Sequence, residues 1–155
     1  MKQFVLIMGI ISTVILGACA APTETNVKQE SNKQEVTKDV QDSKVVNGIK
    51  LTLEKQEIVK AISKDNKETN LYTFIVTGVN VSSINKGLGS ADFILQTADG
   101  KRLDVDYNFL SFGDEIKPGK SIKGPVSFSL KKDQKASKLI YRIGDKELLS
   151  WEVTN

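Results

Sequence analysis

Apolar residues recur at every second position in a series of short runs that begins at residue 49. In the first run, Ile49, Leu51 and Leu53 alternate with polar residues. Because successive side chains of a β-strand point to opposite faces of a sheet, this alternation predicts a strand with one buried face. No later run has the length and the 3.6-residue period of an amphipathic helix, so the pattern restricts the domain to antiparallel sheets.

Seven candidate strands follow from this pattern. The run at 72–79 is apolar on both faces for part of its length, which predicts a central position in its sheet. The candidates are residues 49–53, 72–79, 93–95, 103–105, 122–130, 139–143 and 149–153. Short strands at this spacing predict an all-β domain folded as an antiparallel β-sandwich of about seven strands.

Turn residues separate the candidate strands. Asp99 and Gly100 predict a type I′ hairpin turn, in which both central residues have positive φ. Pro118 and Gly119 predict a type II turn, because proline fixes the first φ and glycine supplies a positive second φ. Proline has no N–H for a sheet ladder, so Pro125 predicts a bulge or an edge position within its strand.

The N-terminal segment has the three parts of a secretory signal peptide. Lys2 supplies a short positive region, residues 4–16 are apolar, and the small residues Gly17 and Ala18 follow. The apolar run, at 13 residues, is too short to span a bilayer. We therefore expect residues 1–18 to be a signal peptide that is cleaved from the mature protein.

Cys19 follows this segment and is the only cysteine in the sequence. The run Leu16-Gly17-Ala18-Cys19 resembles the lipobox of bacterial lipoproteins. The resemblance implies that Cys19 receives a diacylglycerol thioether, with fatty-acyl chains such as palmitate, and becomes the mature N-terminus. Two acyl chains hold a protein stably on a membrane, so we expect a lipid anchor in the cell membrane, facing the extracellular side. The alternative is an ordinary secretory signal with a chance cysteine.

Residues 19–45 are polar and carry charges of both signs. Between residues 20 and 44, the only large apolar residues are Val27, Val36 and Val40. Such a segment cannot bury enough apolar surface to fold, which predicts a disordered, flexible linker behind the lipidated cysteine. Its root-mean-square reach as a flexible coil would be about 25–30 Å. A short helix is the alternative, because Val36 and Val40 lie four residues apart.

Residues 46–155 suffice for one domain of ordinary size. With the only cysteine assigned to the lipid, this domain has no thiol for a disulfide, so its stability depends on core packing. The chain has no histidine and a net charge of +3, which is too mild to indicate nucleic-acid binding. We expect a monomer that holds neither a metal nor another cofactor.

Several scaffold features occur in a fixed order along this domain. They are a strand ending at Asn80, Phe93-Ile94-Leu95, Asp99-Gly100, the turn segment 116–124, Val126 with Phe128, and the apolar residues 139–141. This order resembles the telokin-like, immunoglobulin-fold domain of unknown function found in many Gram-positive lipoproteins. The resemblance covers residues 46–153 and departs from the family pattern at Ser82 and Ser83. It implies an immunoglobulin-like sandwich on a Gram-positive surface, and it implies no particular activity.

Asp104, Asp106 and Asn108 have the spacing of the first ligands of a calcium loop, with Glu115 at the twelfth position. The sixth position of such a loop requires glycine, whereas this chain has Phe109. Asp104 and Asp106 also fit the solvent face of a strand. We favour that second interpretation and expect no metal site, with calcium binding as the alternative.

The same two carboxylates are the candidates for general acid–base chemistry such as glycoside hydrolysis. That reaction needs two carboxyl groups facing each other across a cleft, whereas residues two apart in a strand point the same way. The chain also has no histidine and no cysteine other than Cys19. We therefore expect no catalytic residues and no enzyme activity.

An aromatic-rich stretch follows these carboxylates. Tyr107, Phe109 and Phe112 lie within six positions of each other. Aromatic residues on a loop at the end of a sandwich are typical of a binding surface, because they bury large areas at low entropic cost. We therefore name these three residues as candidates for partner binding. The alternative is that they plug the open side of the sandwich.

Two groups of lysines stand out in the second half of the domain. The first comprises Lys117, Lys120 and Lys123, and the second lies within residues 131–138. Lysines in turns are usually just solvated. The first group is nevertheless our candidate for contact with an anionic surface such as anionic lipids or teichoic acids, which salt would weaken.

These features favour a membrane-anchored extracellular lipoprotein whose domain is a non-catalytic binding or interaction module. Its partner would be an extracellular protein or a polymer. The alternative function is an accessory or immunity-type lipoprotein that blocks a toxin, phage injection machinery or a membrane protease.

The substitution Cys19→Ala should abolish lipid attachment, because it removes the sulfur that would accept the diacylglycerol. Cells grown with labelled palmitate should label the parent protein and leave the variant unlabelled. Label that persists on the variant would contradict the anchor.

Overall fold

The computed structural model describes residues 35–62 and 66–155 of the chain. Ten β-strands and a 3₁₀ turn at Ser90–Asp92 account for the regular structure of these residues. The strands are β1 (Glu35–Val46), β2 (Ile49–Ile62), β3 (Glu68–Asn80), β4 (Lys86–Gly89), β5 (Phe93–Thr97), β6 (Arg102–Asp104), β7 (Gly113–Ile116), β8 (Ser121–Lys131), β9 (Ala136–Ile143) and β10 (Lys146–Glu152). Within this described part, no helix is long and apolar enough to cross a membrane. The predicted all-β class is confirmed.

The strands form two four-stranded sheets and one two-stranded ribbon. The first sheet has the order β1-β2-β3-β8, the second has the order β10-β9-β5-β6, and β4 pairs with β7. Every pairing is antiparallel. All seven candidate strands are present, whereas β1, β4 and β7 were not predicted. The last two are four residues long and contain glycine, so they lack the alternation that marks the others.

Both large sheets contribute to one hydrophobic core. From the first sheet, Ile49, Leu51 and Phe74 are fully buried, and from the second sheet, Leu95 and Leu139 are fully buried. These residues occupy alternate positions of their strands, as the two-residue period predicts. The shared core joins the sheets into one domain, while the immunoglobulin-like topology stays a prediction.

The flexible linker predicted for residues 19–45 is wrong over its last part, because residues from Glu35 onward form β1. The polar strand is stable here since its backbone pairs with β2, from Glu35 opposite Val59 to Val46 opposite Ile49. Val40 and Val46 also pack against the core. The helical alternative fails for the same reason. The proposed signal peptide, Cys19 and the first part of the linker lie outside the described residues.

The turns follow the predicted chemistry with one correction. Gly119 has a φ of +71°, and Lys120 N–H donates to the carbonyl of Lys117 at 3.0 Å, which fits the predicted type II turn. Gly100 has a φ of +83°, but Asp99 is not among the residues with positive φ. The type I′ prediction for this pair is therefore wrong. Gly100 N–H donates to the carbonyl of Thr97 at 2.9 Å, so glycine is the last residue of the turn and not one of its two central residues.

Pro125 lies in β8, which pairs with β3 alone and is therefore an edge strand of its sheet. The predicted edge position is confirmed. Packing explains the glycine at the neighbouring position 124, because a Cβ atom there would lie 2.3–2.5 Å from the side chain of Phe112. Any other amino acid at position 124 would clash with that aromatic ring.

Asn80, at the end of β3, connects two loops at one end of the domain, the loop between β3 and β4 and the loop between β7 and β8. It is fully buried, and its Nδ2 donates to the carbonyl oxygens of Ile84 and Ile116 at 2.7 Å each. Its Oδ1 accepts from the backbone N–H and the hydroxyl of Ser82 at 2.9 and 2.7 Å. Its backbone N–H donates to the carbonyl of Lys120 at 2.9 Å. We call this end of the domain the Asn80 end.

The substitution Asn80→Ala should lower the free energy of unfolding by about 1–3 kcal/mol, because it removes the donor to the buried carbonyl of Ile116 and the acceptor of the Ser82 N–H. Chemical denaturation measures the change. Asn85→Ala is the matched control, since Asn85 is exposed and its side chain makes one hydrogen bond, to Glu115. That control should stay within about 0.5 kcal/mol of the parent. Equal losses in the two variants would contradict the connecting role of Asn80.

Candidate functional site

The aromatic-rich stretch forms a loop of residues 105–112 that joins β6 to β7, and we call it the aromatic loop. Three large apolar side chains on it are open to solvent. Tyr107 is 63% exposed, Phe109 is 40% exposed and Leu110 is 81% exposed. Isolated apolar side chains are common on protein surfaces, but three within four positions form a local apolar surface.

Asp106 holds the first half of the aromatic loop against the edge strand β8. Its backbone N–H donates to the carbonyl of Ser127 at 2.8 Å, and its Oδ2 accepts from the hydroxyl of Ser129 at 2.6 Å. Its Oδ1 accepts from the backbone N–H and the side-chain amide of Asn108 at 3.0 and 2.7 Å. Phe109 N–H donates to the Asp106 carbonyl at 3.2 Å. The exposed side chains therefore stand on an ordered turn.

Phe112 closes the other end of the aromatic loop. Its N–H donates to the Ser90 hydroxyl at 2.9 Å, and its carbonyl accepts from Ser90 N–H at 2.8 Å. The Ser90 hydroxyl in turn donates to the carbonyl of Pro125 at 3.0 Å. The Phe112 ring packs on the core beside Gly124.

Of the three aromatic candidates, one fits the interpretation as a plug of the sandwich and two fit the interpretation as a binding surface. Phe112 is half-buried and fills the side of the core, as the plug hypothesis predicted. Tyr107 and Phe109 point to solvent, as a binding surface requires. Leu110 was missed, because a single leucine between aromatic residues reads equally well as part of the core.

The carboxylates of the calcium hypothesis have separate partners. Asp104 Oδ1 accepts from Arg142 at 3.2 Å, Asp106 holds the aromatic loop, and Glu115 Oε1 accepts from Asn85 at 2.6 Å. Within residues 35–62 and 66–155, no three acidic, histidine or cysteine side chains group closely enough to hold a metal ion. The spacing in sequence therefore does not become a ligand set in the fold.

The three lysines of the first group, Lys117, Lys120 and Lys123, differ in their surroundings. Lys117 and Lys120 are exposed on either side of the turn at Pro118 and Gly119. Lys123 instead forms an ion pair with Glu54 across the sheet. The hydrogen bond from Lys123, aided by one from the Thr77 hydroxyl, holds the pKa of Glu54 below its ordinary value.

At the Asn80 end, exposed lysines lie next to exposed apolar residues. Lys117 and Lys120 lie beside the loop after Asn80, where Val81 is 54% exposed and Ile84 is 63% exposed. The lysine positions that we named for an anionic surface therefore have apolar neighbours, except for Lys123. Contact with an anionic surface stays a prediction.

The comparisons with known proteins concern the fold. No family model and no curated protein matches the chain. The solved structure of ycdA, a provisionally assigned lipoprotein of Bacillus subtilis subsp. subtilis strain 168, is similar, with a TM-score of 0.59 and 18% identity over 74% of this chain and 39% of that one. A functionally unknown protein of Listeria monocytogenes EGD-e has a TM-score of 0.55 and 13% identity over 79% of this chain and 88% of that one.

A conserved hypothetical protein of Bacillus anthracis is also similar in structure. The TM-score is 0.52 and the identity is 13%, over 74% of this chain and 96% of that one. At these identities the likeness shows the all-β fold alone. The telokin-like family and the lipobox therefore stay predictions from the sequence.

The substitution Asp106→Ala should loosen the aromatic loop, because it removes the acceptor that orders Asn108 and Ser129. Hydrogen exchange of peptides covering residues 105–112 should become about tenfold faster, while exchange in β2 and β3 stays as in the parent. Asp133→Ala, at another exposed turn, is the control. Unchanged exchange in the loop would show that Asp106 does not order it.

Proposed function

We propose that the chain is a lipid-anchored lipoprotein of the cell surface whose domain binds a protein partner, without catalysis, through Tyr107, Phe109 and Leu110. The observation that carries the proposal is the exposure of these three apolar side chains on an ordered loop. The anchor rests on the residues that lead to Cys19 and on their resemblance to a lipobox.

Order in the aromatic loop favours binding. A partner that packs on a preformed surface has less conformational entropy to remove than one that packs on a mobile segment. Tyrosine and phenylalanine are both enriched at protein interfaces, and tyrosine is common among the residues that dominate binding energy. The strongly exposed Leu110 suits an apolar pocket, which is a feature of proteins more than of polar polymers. These properties support a protein partner over a polymer.

The path of the chain supports surface presentation. The first residue of β1, Glu35, lies opposite Val59 of β2. The last residue of β1, Val46, lies opposite Ile49, which pairs with Asn80. The described chain therefore enters at the end of the domain opposite Asn80. At about 3.3 Å per residue, β1 spans roughly 40 Å. β1 and β8 are the opposite edges of the first sheet, and the aromatic loop is held against β8. A lipid connected to β1 would therefore leave the β8 edge and the aromatic loop available to a partner.

A photo-crosslinking residue in place of Leu110 should capture one predominant protein in intact cells, identified by mass spectrometry. The same residue in place of Val45 is the control, because Val45 is 65% exposed on β1, at the sheet edge opposite to the β8 edge that holds the aromatic loop. Changing Tyr107 and Phe109 to serine in the Leu110 photo-crosslinking variant should reduce the yield about tenfold or more, because interface aromatic residues carry much of the binding energy.

The alternative outcomes of this experiment are distinct. Equal yields from positions 110 and 45, or a yield that the serine changes do not affect, would contradict binding through the aromatic loop. Capture of a single membrane protein would favour the accessory or immunity-type role, whereas capture of a secreted protein would favour a surface receptor role. The melting temperature of each variant should stay close to that of the parent, since the altered side chains are exposed.

A further inference from the structure

A cleft of about 460 Å³ lies between the ribbon strand β4 and the end of β9. It is separate from the aromatic loop surface described above. Ile143, which is 44% exposed, supplies an apolar side chain to its lining, Asp92 and Asp114 supply carboxylates, and Lys86 supplies an ammonium group. The lining also includes Asn47 in the β1–β2 turn, which places the cleft toward the Asn80 end.

Tyr141 lines this cleft although the residue is 0% exposed. Its ring packs against Phe93 with centroids 5.4 Å apart. Within the described residues, its hydroxyl makes no hydrogen bond, whereas the hydroxyl of the other buried tyrosine, Tyr72, donates to Asn155 at 2.9 Å. Burial, together with the nearby Asp92 carboxylate, raises the pKa of Tyr141 to about 12. The cleft therefore contains a neutral phenol whose ring is buried and whose hydroxyl has no hydrogen bond within the described residues.

Asp92 is the second buried polar feature of the cleft. Its Oδ2 accepts from Gly89 N–H at 2.8 Å, which fixes the carboxylate beside β4. Burial raises the pKa of Asp92, while the Gly89 hydrogen bond and the charge of Arg142 act in the opposite direction. A half-buried carboxylate of this kind gains from a ligand that donates hydrogen bonds to it.

The ribbon strand β4 leaves main-chain groups and space for such a ligand. Gly89 N–H points to Asp92 and therefore away from β7, on the unpaired edge of β4. In an antiparallel pair, every second residue directs its N–H and carbonyl to the same edge. Gly87 therefore presents its N–H and carbonyl on this unpaired edge. A Cβ atom at Gly87 would have no heavy atom within 4 Å. The edge beside the cleft is therefore unfilled.

We propose that this cleft binds an uncharged, hydroxyl-rich ligand, namely a sugar. Sugar hydroxyls can donate to Asp92 and Asp114 and can accept from Tyr141 and Lys86. A carbon face of a sugar ring can rest on the exposed side chain of Ile143. Two carboxylates against one ammonium group disfavour an anionic ligand such as a phosphate or a uronic acid. The Tyr141 hydroxyl, which has no hydrogen bond within the described residues, is free to donate one to the ligand.

The test is a titration of the ¹⁵N-labelled full chain, held in a detergent without sugar head groups, followed by amide chemical shifts. The probe is a neutral β-1,4-linked trisaccharide of N-acetylglucosamine. It should give saturable shifts at Gly87, Gly89 and Ile143 at concentrations up to about 10 mM, the range of a weak single-sugar site. An anionic trisaccharide of galacturonic acid should give none of these shifts.

Two variants connect the shifts to the cleft. Tyr141→Phe keeps the core ring and removes the hydroxyl, so the affinity should fall about tenfold. Tyr72→Phe is its matched control, because Tyr72 is equally buried but lies outside the cleft, and it should bind as the parent does. Gly87→Gln should abolish binding by filling the open edge without a clash in the domain. Thermal melting confirms that each variant is folded.

Several outcomes would overturn the proposal. They are the absence of shifts with the neutral sugar, affinity unchanged in both cleft variants, and equal binding of the anionic sugar. A response to a blocked extended peptide such as acetyl-trialanine amide, without one to the sugar, would overturn it too, because it would identify the open edge of β4 as a site for strand addition. None of these outcomes bears on the aromatic loop.

Discussion

The structure depends on the burial of alternate side chains from two antiparallel sheets in one shared core. Ile49, Leu51 and Phe74 from one sheet and Leu95 and Leu139 from the other are fully buried. Each such side chain contributes on the order of 1.5–3 kcal/mol through the area removed from water. The only cysteine, Cys19, precedes the described domain. With no disulfide to hold the domain, this packing positions every loop that carries a candidate site.

A core between two sheets is open at its sides, and the chain closes each side differently. On one side, Lys44 of β1 donates to the carbonyl of Ser150 in β10 at 3.2 Å and lies 5.8 Å from the centre of the Trp151 ring. On the other side, Phe112 packs beside Gly124. The aromatic loop therefore has two roles, because the residue that closes the core also fixes the position of the exposed Tyr107, Phe109 and Leu110.

Polar groups organise the Asn80 end, where the apolar core stops. Asn80 satisfies the carbonyl groups of two loops, and Asp92 fixes the 3₁₀ turn beside β4. Tyr141 differs from them, since the described residues leave its hydroxyl without a hydrogen bond. A hydroxyl that the fold leaves unpaired beside a cleft is available to a ligand that accepts a hydrogen bond.

The alternation of apolar residues by itself determined the all-β class, seven of the strands and the core positions within them, because burial on one face of a strand is a local property. The turn at Pro118 and the edge position of Pro125 were equally local. Only the tertiary structure decided that polar β1 is a strand, that Phe112 closes the core while Phe109 does not, and that Tyr141 meets Asp92 in a cleft. These features depend on strand pairing and on contacts between residues distant in the chain, which a local pattern does not contain.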